Sequence, residues 1–524
     1  MKKRYRIILS IFALLESIFL LTIPYLTEEL IDAASNQKKD LLILFIILLA
    51  IALLISIVIK IISYICYSKF QLRLEKEYKQ RLFNEITVKE YQKIIEYHSS
   101  ELEVLFNEDV RNIVSKEINV IPNIVKVLAK LFLAIGLLIY YDWKFLLVVL
   151  AFGLLGLIGA KLYSIKMKVI HKDVLEKTAS TNSYLVESSQ NIKLVRAYDA
   201  KDNVSNYYNQ ILDEEINSKR KRNFYLYSAN SIFYAFSALI YIGPLVYGAY
   251  GIYASWFTYG VFMALVLLVR QVESPLLQIS GLINQYSMAT ASNDRLNKLF
   301  ELPNDKLIEE NIDFDKIVFE DVSFSYSENQ MVLSHFNLEI KKDDIILLSG
   351  RSGIGKTTIF MLLLGFLKPD SGRIYYVKDN KEYPIGMETI SLFSYVPQEN
   401  VLFSLSILDN MKILTKKDES SIIEALKIAN IYDELMQLPL GLNTVLKTRG
   451  QGLSLGQIQR ILIAIALLHD GNILLLDEFS SALDLENEKK IIENLKGLNK
   501  TIIYITHRQL ELEDSKRVIL EDLC

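Results

Sequence analysis

The sequence predicts a multidomain membrane protein, with an all-α domain of six membrane helices followed by an α/β domain. Three observations predict this fold class. Long uncharged apolar runs fill the first half of the chain, short buried strands alternate with helical patterns in the second half, and a glycine-rich motif joins one such strand to a helix. We expect the membrane domain over 1–302, a linker over 303–316 and the α/β domain over 317–524.

Composition sets the broad class. Of the 524 residues 51% are hydrophobic, and the mean hydropathy is +0.24. Such a chain is too apolar for an ordinary soluble protein and for a disordered one. The net charge of −3 argues against a nucleic-acid partner. The two cysteines, Cys66 and Cys524, are too few for a disulfide framework.

The apolar runs predict six membrane crossings. The run 41–59 has no charge and is long enough to cross a bilayer as a helix. The stretch 224–269 contains no charged residue and is too long for one crossing, so we expect a turn within it near 248–255. The crossings are expected at about 7–26, 41–62, 120–141, 145–163, 226–249 and 257–280. A signal peptide at the N-terminus is the less favoured alternative for the first of them.

Positive charges predict the orientation. Basic residues precede the first crossing, and the connections 63–119 and 164–223 are long and rich in Lys and Arg, whereas the opposite connections are short. By the positive-inside rule, the N-terminus and these long helical extensions are cytoplasmic. The α/β domain is then cytoplasmic as well, on a multi-pass protein of the cytoplasmic membrane.

Several polar residues lie within the predicted crossings. Intramembrane charges commonly face a bundle interior or a transport pathway. Glu16 is a candidate for lining a substrate cavity, whereas Lys126 and Arg270 have the alternative of extending to the interface from helix ends. Lys130 and Glu273 are further charged residues in or near the predicted crossings. The tyrosines of the fifth crossing line a cavity or, in the favoured interpretation, form interfacial belts and helix contacts: Tyr225, Tyr227, Tyr234, Tyr241 and Tyr247.

The second domain contains a predicted phosphate-binding loop. The segment 350–357 reads GRSGIGKT, follows a buried strand and opens a helix, which is the context that this motif requires. Its glycines let backbone N–H groups wrap phosphates at a helix N-terminus. We expect Lys356 to reach the β- and γ-phosphates of ATP and the Thr357 hydroxyl to bind Mg²⁺. The ATP-binding set is Gly350, Arg351, Ser352, Gly353, Ile354, Gly355, Lys356, Thr357 and Thr358.

A second motif supplies the carboxylates. The buried strand 473–476 ends at Asp477 and Glu478. In a P-loop ATPase, Asp477 would hold Mg²⁺ through water, and Glu478 would act as the general base for the water that attacks the γ-phosphate. An acidic pair after an apolar strand is usually only a strand end, but the upstream phosphate-binding loop overturns that interpretation.

A third motif reveals a family resemblance. The segment 453–457 reads LSLGQ and precedes a helix. With the two motifs above, it makes the second domain resemble the nucleotide-binding domain of ABC transporters, whose signature is LSGGQ. The resemblance implies that Tyr326 stacks on adenine, that Gln398 contacts Mg²⁺ and the attacking water, and that His507 contacts the γ-phosphate. It also implies that one subunit's signature and D-loop residues cap ATP bound by the other: Ser454, Gly456, Gln457 and Asp484.

The first domain resembles the six-helix membrane domain of ABC exporters, more weakly. Residues 186–196 and 102–110 resemble the two cytoplasmic coupling regions of that family. Leu455 departs from the family by replacing the first signature glycine, which implies weaker ATP capping in its half of a composite site. The partners implied are a second half-transporter chain, membrane lipids and a transported substrate. A homodimer is favoured and a heterodimer stays open.

The resemblance implies ATP-driven export across the cytoplasmic membrane. Peptides, lipids and amphipathic drugs all stay open as substrates, with a slight preference for peptides. Because the first crossing starts within about six residues of Met1, we expect no leader-cleaving peptidase domain. The alternative from another functional class is an ATP-dependent membrane regulator or immunity sensor that moves no cargo. A soluble ATPase is excluded by the six crossings.

Overall fold

The computed structural model divides into two compact units, one formed by Met1–Asn84 with Ser99–Phe300 and the other by Glu85–His98 with Glu301–Cys524. Its described residues are 2–524, except 98, 307–311, 327–329, 352, 400, 448–451, 480–484, 499, 507–514 and 521–524. For 99–100, 148–165, 485 and parts of 168–175, 229–244 and 276–280 only the backbone is described. The expected boundaries near 302 and 317 stay predictions.

The first unit is entirely helical. Its elements, with one short helix of the second unit, run in the order α1 (Lys2–Ser35), α2 (Lys39–Ile86), α3 (Tyr91–Ile94, second unit), α4 (Ser99–Val104), a π-helical turn (Leu105–Asp109), α5 (Val110–Ser115), a second π-helical turn (Lys116–Val120), α6 (Ile121–Gln190), α7 (Ile192–Ala197), α8 (Lys201–Tyr253) and α9 (Tyr259–Phe300). Among the described residues, three helical segments are long and apolar enough to cross a membrane: Lys2–Ser35, Lys39–Ile86 and Glu101–Leu147.

The helix α6 is broken at Asp142. This residue has extended backbone angles (φ −161°, ψ 108°), and its two carboxylate oxygens accept hydrogen bonds from the Lys144 N–H at 2.8 Å and the Tyr247 hydroxyl at 2.7 Å. The break falls between the crossings expected at 120–141 and 145–163. Six crossings stay a prediction, with which this geometry agrees.

Helices α1, α6 and α9 pack together around two apolar clusters. The first contains Leu21 of α1, Ala134 and Leu138 of α6, and Leu268 and Val272 of α9, among others. The second contains Val120, Val127 of α6 and Leu282 of α9. Leucine and valine at helical spacing therefore form the interior of the bundle.

The second unit is an α/β domain with two sheets. Its strands are β1 (Lys316–Ser325), β2 (Met331–Lys341), β3 (Ile345–Ser349), β4 (Ser371–Lys378), β5 (Lys381–Pro384), β6 (Phe393–Val396), β7 (Ile473–Asp477), β8 (Thr501–Ile505) and β9 (Lys516–Ile519). The antiparallel sheet has the order β2-β1-β4-β5, and the parallel sheet has the order β6-β7-β8-β3-β9. Every residue of β7 and β8 is buried, as expected for the centre of a parallel sheet.

The helices of this unit place the candidate motifs. They are α10 (Lys356–Leu363), α11 (Ile407–Thr415), α12 (Glu419–Ile428), α13 (Tyr432–Met436), α14 (Leu455–Leu468) and α15 (Leu485–Lys496). In an open parallel sheet, ligands bind outside the carboxyl ends of the strands. The loops that leave β3, β6 and β7 all start at that edge, and they carry the phosphate-binding loop, Gln398 and Glu478.

Residues 85–98 join the second unit through a short helix, α3. Tyr91 stacks on Phe366, with ring centroids 4.4 Å apart, and its N–H donates to Asp305 Oδ2 at 3.0 Å. Lys89 Nζ donates to Leu302 O and Asn304 Oδ1, both at 2.8 Å. The sequence analysis assigned no role to this segment. The coupling stretch expected at 102–110 belongs to the first unit and stays a prediction.

Candidate active site

The loop between β3 and α10 has the conformation that the glycine-rich motif predicts. Gly353 and Gly355 have φ values of +84° and +102°, in the left-handed region that glycine adopts without a steric penalty. A Cβ on Gly355 would lie 2.6 Å from Val332 Cγ1. Both its backbone angles and its surroundings therefore require glycine where the chain enters α10.

Lys356 is held against this loop. Its Nζ donates to the carbonyl oxygens of Gly350 at 2.8 Å and Arg351 at 2.9 Å, and the residue is only 5% exposed. Burial lowers the pKa of Lys356, while the nearby Glu478 and Asp477 carboxylates oppose that shift. The ammonium is thus fixed at the loop by neutral carbonyls, ready to pair with phosphate oxygens.

Thr357 and Asp477 meet at the carboxyl end of β7. Thr357 Oγ1 donates to Asp477 Oδ1 at 3.2 Å. Asp477 is fully buried, and among the described residues its Oδ2 has no hydrogen-bond partner. Burial raises the pKa of Asp477 to about 6, with the Thr357 hydrogen bond and Lys356 opposing the shift. This buried carboxylate beside a hydroxyl fits a hard cation such as Mg²⁺.

Gln398 and Glu478 are paired at the same edge. Gln398 Nε2 donates to Glu478 Oε2 at 2.9 Å. Glu478 has a φ of +47°, and its N–H donates to Ile505 O at the end of β8, at 3.1 Å. A non-glycine residue in the left-handed region stores backbone strain of about 1–3 kcal/mol. The neighbouring strand thus holds Glu478 in an uncommon conformation that turns the chain away from the sheet.

Tyr326 stands beside the start of α10. Its hydroxyl lies 3.2 Å from Thr358 Oγ1, and its ring packs edge-on against Phe324 with centroids 5.1 Å apart. The residue is 55% exposed. An exposed aromatic face next to a phosphate-binding helix suits stacking on a planar base.

The signature residues form the start of α14. Ser454 Oγ accepts from the Gln457 N–H at 3.2 Å, and Gln457 Oε1 accepts from the Ser454 N–H at 2.9 Å. This reciprocal capping box fixes the first turn. Leu455 is 60% exposed, so the side chain that departs from the family pattern extends into solvent, next to Gly456.

An ion pair between the buried Arg460 and the partly exposed Glu434 supports this turn. Arg460 donates to both carboxylate oxygens of Glu434 at 2.6 and 2.8 Å, and to Asn430 O at 2.6 Å. Gln457 Nε2 also donates to Glu434, at 3.3 Å. The sequence analysis missed Glu434, because nothing in its local sequence shows that it faces a helix more than twenty residues away.

The structure brings most of the predicted ATP-site residues to one sheet edge. The phosphate-binding loop, Asp477, Glu478 and Gln398 adjoin the carboxyl ends of the parallel strands, and Tyr326 adjoins α10. The signature residues Ser454, Gly456 and Gln457 occupy the separate end of α14. Three predicted residues lie outside the described part of the chain: Ser352, Asp484 and His507.

Comparisons with known proteins match both halves of the chain. The profile of the family described as the ABC transporter transmembrane region matches residues 7–276, and that described as ABC transporter matches residues 333–481. The chain is 19% identical to the solved structure of a bacterial Atm1-family ABC exporter with ATP bound, with a TM-score of 0.86 over 99% of this chain and 94% of that one.

Curated relatives come from several bacteria. The lactococcin-A transport/processing ATP-binding protein of Lactococcus lactis is 32% identical over 67% of this chain and 50% of its own length. The alpha-hemolysin translocation ATP-binding protein of Escherichia coli O157:H7 is 29% identical over 67% and 51%. The ATP-dependent lipid A-core flippase of Neisseria gonorrhoeae is 28% identical over 74% and 63%. The chain spans about half the length of the first two relatives.

Proposed function

Because the chain belongs to the ABC transporter family and is a membrane protein with its nucleotide-binding domain in the cytoplasm, we propose that it is an exporter half-transporter driven by ATP hydrolysis. One observation carries this proposal. The Thr357–Asp477 pair and the Gln398–Glu478 pair adjoin one phosphate-binding loop, on a chain whose first half is a transmembrane region.

Each residue at the sheet edge has a role in ATP binding. Backbone N–H groups of the loop and the Lys356 ammonium bind the β- and γ-phosphates, while the Tyr326 ring stacks on adenine. Thr357 and Asp477, with Gln398, would hold Mg²⁺. When bound, that ion neutralises charge on the phosphates and orients them.

Hydrolysis follows from the geometry of Glu478. Its carboxylate accepts a proton from the attacking water, whose oxygen forms a bond to the γ-phosphorus as the bond to ADP breaks. Gln398 fixes the carboxylate through its hydrogen bond and orients the water. We assign His507 to the γ-phosphate on the family resemblance.

Two chains complete the sites. The end of α14, with Ser454, Gly456 and Gln457, and the D-loop Asp484 would cap ATP bound by the partner chain. The signature residues lie at the start of α14, separate from the phosphate-binding loop of the same chain. This separation supports the capping of ATP by a partner chain. A homodimer is the simplest assembly, and a heterodimer would explain the departure at Leu455.

The cargo proposed is an amphipathic molecule. The relatives named above carry the printed names of transporters of lactococcin-A, alpha-hemolysin and lipid A-core, which span peptides and lipids. An amphipathic peptide is the cargo that we favour.

Transport in proteoliposomes tests the proposal. The full chain would be reconstituted, and ATP-dependent accumulation of a fluorescent amphipathic peptide would be measured with Lys356→Ala and Glu478→Gln as controls. We expect uptake that requires ATP and is lost in both variants. ATP hydrolysis without uptake of peptide, lipid or drug probes would contradict export. It would favour the alternative, an ATP-dependent membrane regulator or immunity sensor that moves no cargo.

A further inference from the structure

An ion pair joins α1 and α6 within the predicted membrane crossings. Lys126 Nζ lies 2.7 Å from Glu16 Oε2, and the side chains are 27% and 14% exposed. Beside them, Ser17 Oγ lies 3.4 Å from the carbonyl oxygen of Lys126. Lys126 thus pairs inside the bundle and does not extend to the interface, which decides between the two interpretations of this residue.

Contacts near the extracellular turns establish the depth of this pair. Tyr141 of α6 bonds to Glu28 of α1, so these two residues lie at one level. Lys130 precedes Tyr141 by 11 residues and Glu16 precedes Glu28 by 12, or about 16–18 Å along a helix. In a hydrocarbon core of about 30 Å, that depth is close to the middle.

Lys130 lies on the helix face that points into the bundle. It follows Lys126 by one helical turn, and Val127 and Ala134, three and four residues away on the same face, are buried. Ala134 packs with Leu21 and Leu268 in one apolar cluster, and Val127 packs with Leu282 in the other. Lys130 therefore lies between the two clusters. Its side chain, about 6 Å long, is too short to reach the interface from there.

The charge at this level is not balanced. Glu16 neutralises Lys126, and no described residue makes an ion pair or hydrogen bond with Lys130. Arg270 and Glu273, within the predicted sixth crossing, add one charge of each sign. On α9 the buried Gln271 Oε1 also has no hydrogen-bond partner among the described residues. A cation at mid-membrane is costly unless an anion accompanies it.

We propose that Lys130, beside the Glu16–Lys126 pair, binds the anionic group of an amphipathic cargo molecule, a carboxylate or a phosphate. The Glu16 carboxylate has two effects. It holds Lys126 in the interior, and it neutralises one of the two lysine charges. One net positive charge is left, which suits a singly charged ligand. This inference rests on the proposed export function, because only an exporter would carry the bound molecule as cargo. Binding at the site can nevertheless be tested without transport.

The probe is 11-(dansylamino)undecanoate, a fluorescent amphipathic carboxylate. Its affinity is measured by fluorescence titration of the full chain in zwitterionic nanodiscs without nucleotide, with empty nanodiscs subtracted. We expect Lys130→Gln to weaken binding about tenfold or more and Lys130→Arg to retain affinity within about threefold, because arginine keeps the charge. Glu16→Gln should tighten binding severalfold, since it frees Lys126. The methyl ester of the probe should bind weakly and equally to all variants.

Two competitors identify the source of the anion. Displacement by an acyl peptide with a free C-terminal carboxylate, and not by its C-terminal amide, would assign the site to peptides. Displacement by lysophosphatidate alone would assign it to phospholipids.

Equal affinities of the wild type and Lys130→Gln, or equal affinities of the acid and its ester, would overturn the proposal. The Lys130→Arg variant and the thermal transition of each variant separate loss of charge from loss of fold. Lys356→Ala, which disables the ATP site, should bind the probe normally. A failure of ATP-driven export is therefore distinguishable from a failure of this binding site.

Discussion

Gln398 and Glu478 are joined by a hydrogen bond, in which the amide Nε2 donates to a carboxylate oxygen over 2.9 Å. Glu478 comes directly after β7, in the left-handed region, and Gln398 follows β6, the neighbouring strand. Two adjacent strands therefore fix the position of the carboxylate that we assign as the general base.

Gln398→Ala should slow ATP hydrolysis more than it weakens ATP binding. The variant removes the group that orients Glu478, and misplacement of a catalytic group by about 1 Å costs on the order of 100-fold. We expect kcat to fall about 10- to 100-fold and KM for ATP to rise by less than about tenfold, since Thr357 and Asp477 still hold Mg²⁺. Gln437→Ala, at an exposed glutamine after α13, is the matched control. A large rise in KM with an unchanged kcat would assign Gln398 to binding instead.

Asp477→Asn should abolish the Mg²⁺ dependence of ATP binding. The substitution keeps the size of the side chain but removes the charge of a buried carboxylate with one free oxygen. Titration of ATP with and without EDTA measures the effect. The wild type should lose affinity and activity in EDTA, whereas the variant should be inactive and insensitive to EDTA. An intact Mg²⁺ effect in the variant would remove Asp477 from the metal site.

Leu455→Gly should increase ATP turnover. The Leu455 side chain is 60% exposed in the first turn of α14, where the family pattern has glycine and where close approach to the partner's ATP is expected. We predict a severalfold lower KM for ATP and a higher kcat in steady-state assays. Leu440→Gly, at an exposed leucine elsewhere in the domain, is the control. An unchanged or lower turnover would mean that Leu455 does not hinder capping.

Glu434→Ala should destabilise the nucleotide-binding domain. Arg460 is 5% exposed and would lose two charge-assisted hydrogen bonds. Since Glu434 is partly exposed, we expect a loss of about 1–2 kcal/mol in the free energy of unfolding. This corresponds to a Tm lower by about 2–8 °C for a domain of this size. The exposed Glu424→Ala on α12 should change Tm by less than about 1 °C. Equal transitions for the two variants would contradict a structural role of the ion pair.

Tyr91→Ala should loosen residues 85–98. The stack on Phe366 is worth about 0.5–1.5 kcal/mol beyond the area it buries, and alanine removes it, whereas Tyr91→Phe keeps it. Hydrogen exchange over 85–98 measures the effect in the full chain. Exchange should rise in Tyr91→Ala and stay near the wild-type rate in Tyr91→Phe. Equal exchange in all three proteins would show that other contacts hold the segment.

The family and both halves of the fold could be predicted from sequence because their signals are local. The phosphate-binding loop, the acidic pair and the hydrophobic runs each combine residues that are adjacent along the chain. The crossings expected at about 120–141 and 145–163 leave a short turn between them, and the structure reduces that turn to one extended residue, Asp142.

Contacts between distant elements could not be predicted. Whether Lys126 pairs with Glu16 depends on the register of α1 against α6, which no local pattern encodes. The same holds for Glu434 against Arg460, and for Tyr91 against Phe366. Each pair requires the tertiary packing to be known first.

The most direct test of the central claim, that this chain is an ATP-driven transporter, is ATP turnover by the purified full chain in nanodiscs, with Glu478→Gln as the paired variant. We predict clear turnover in the wild type, and in the variant ATP that is bound but not hydrolysed. Near-normal turnover in Glu478→Gln would contradict the assigned general base. A folded wild-type chain that never hydrolyses ATP, even with candidate partner chains and cargo present, would contradict the ATP-driven mechanism.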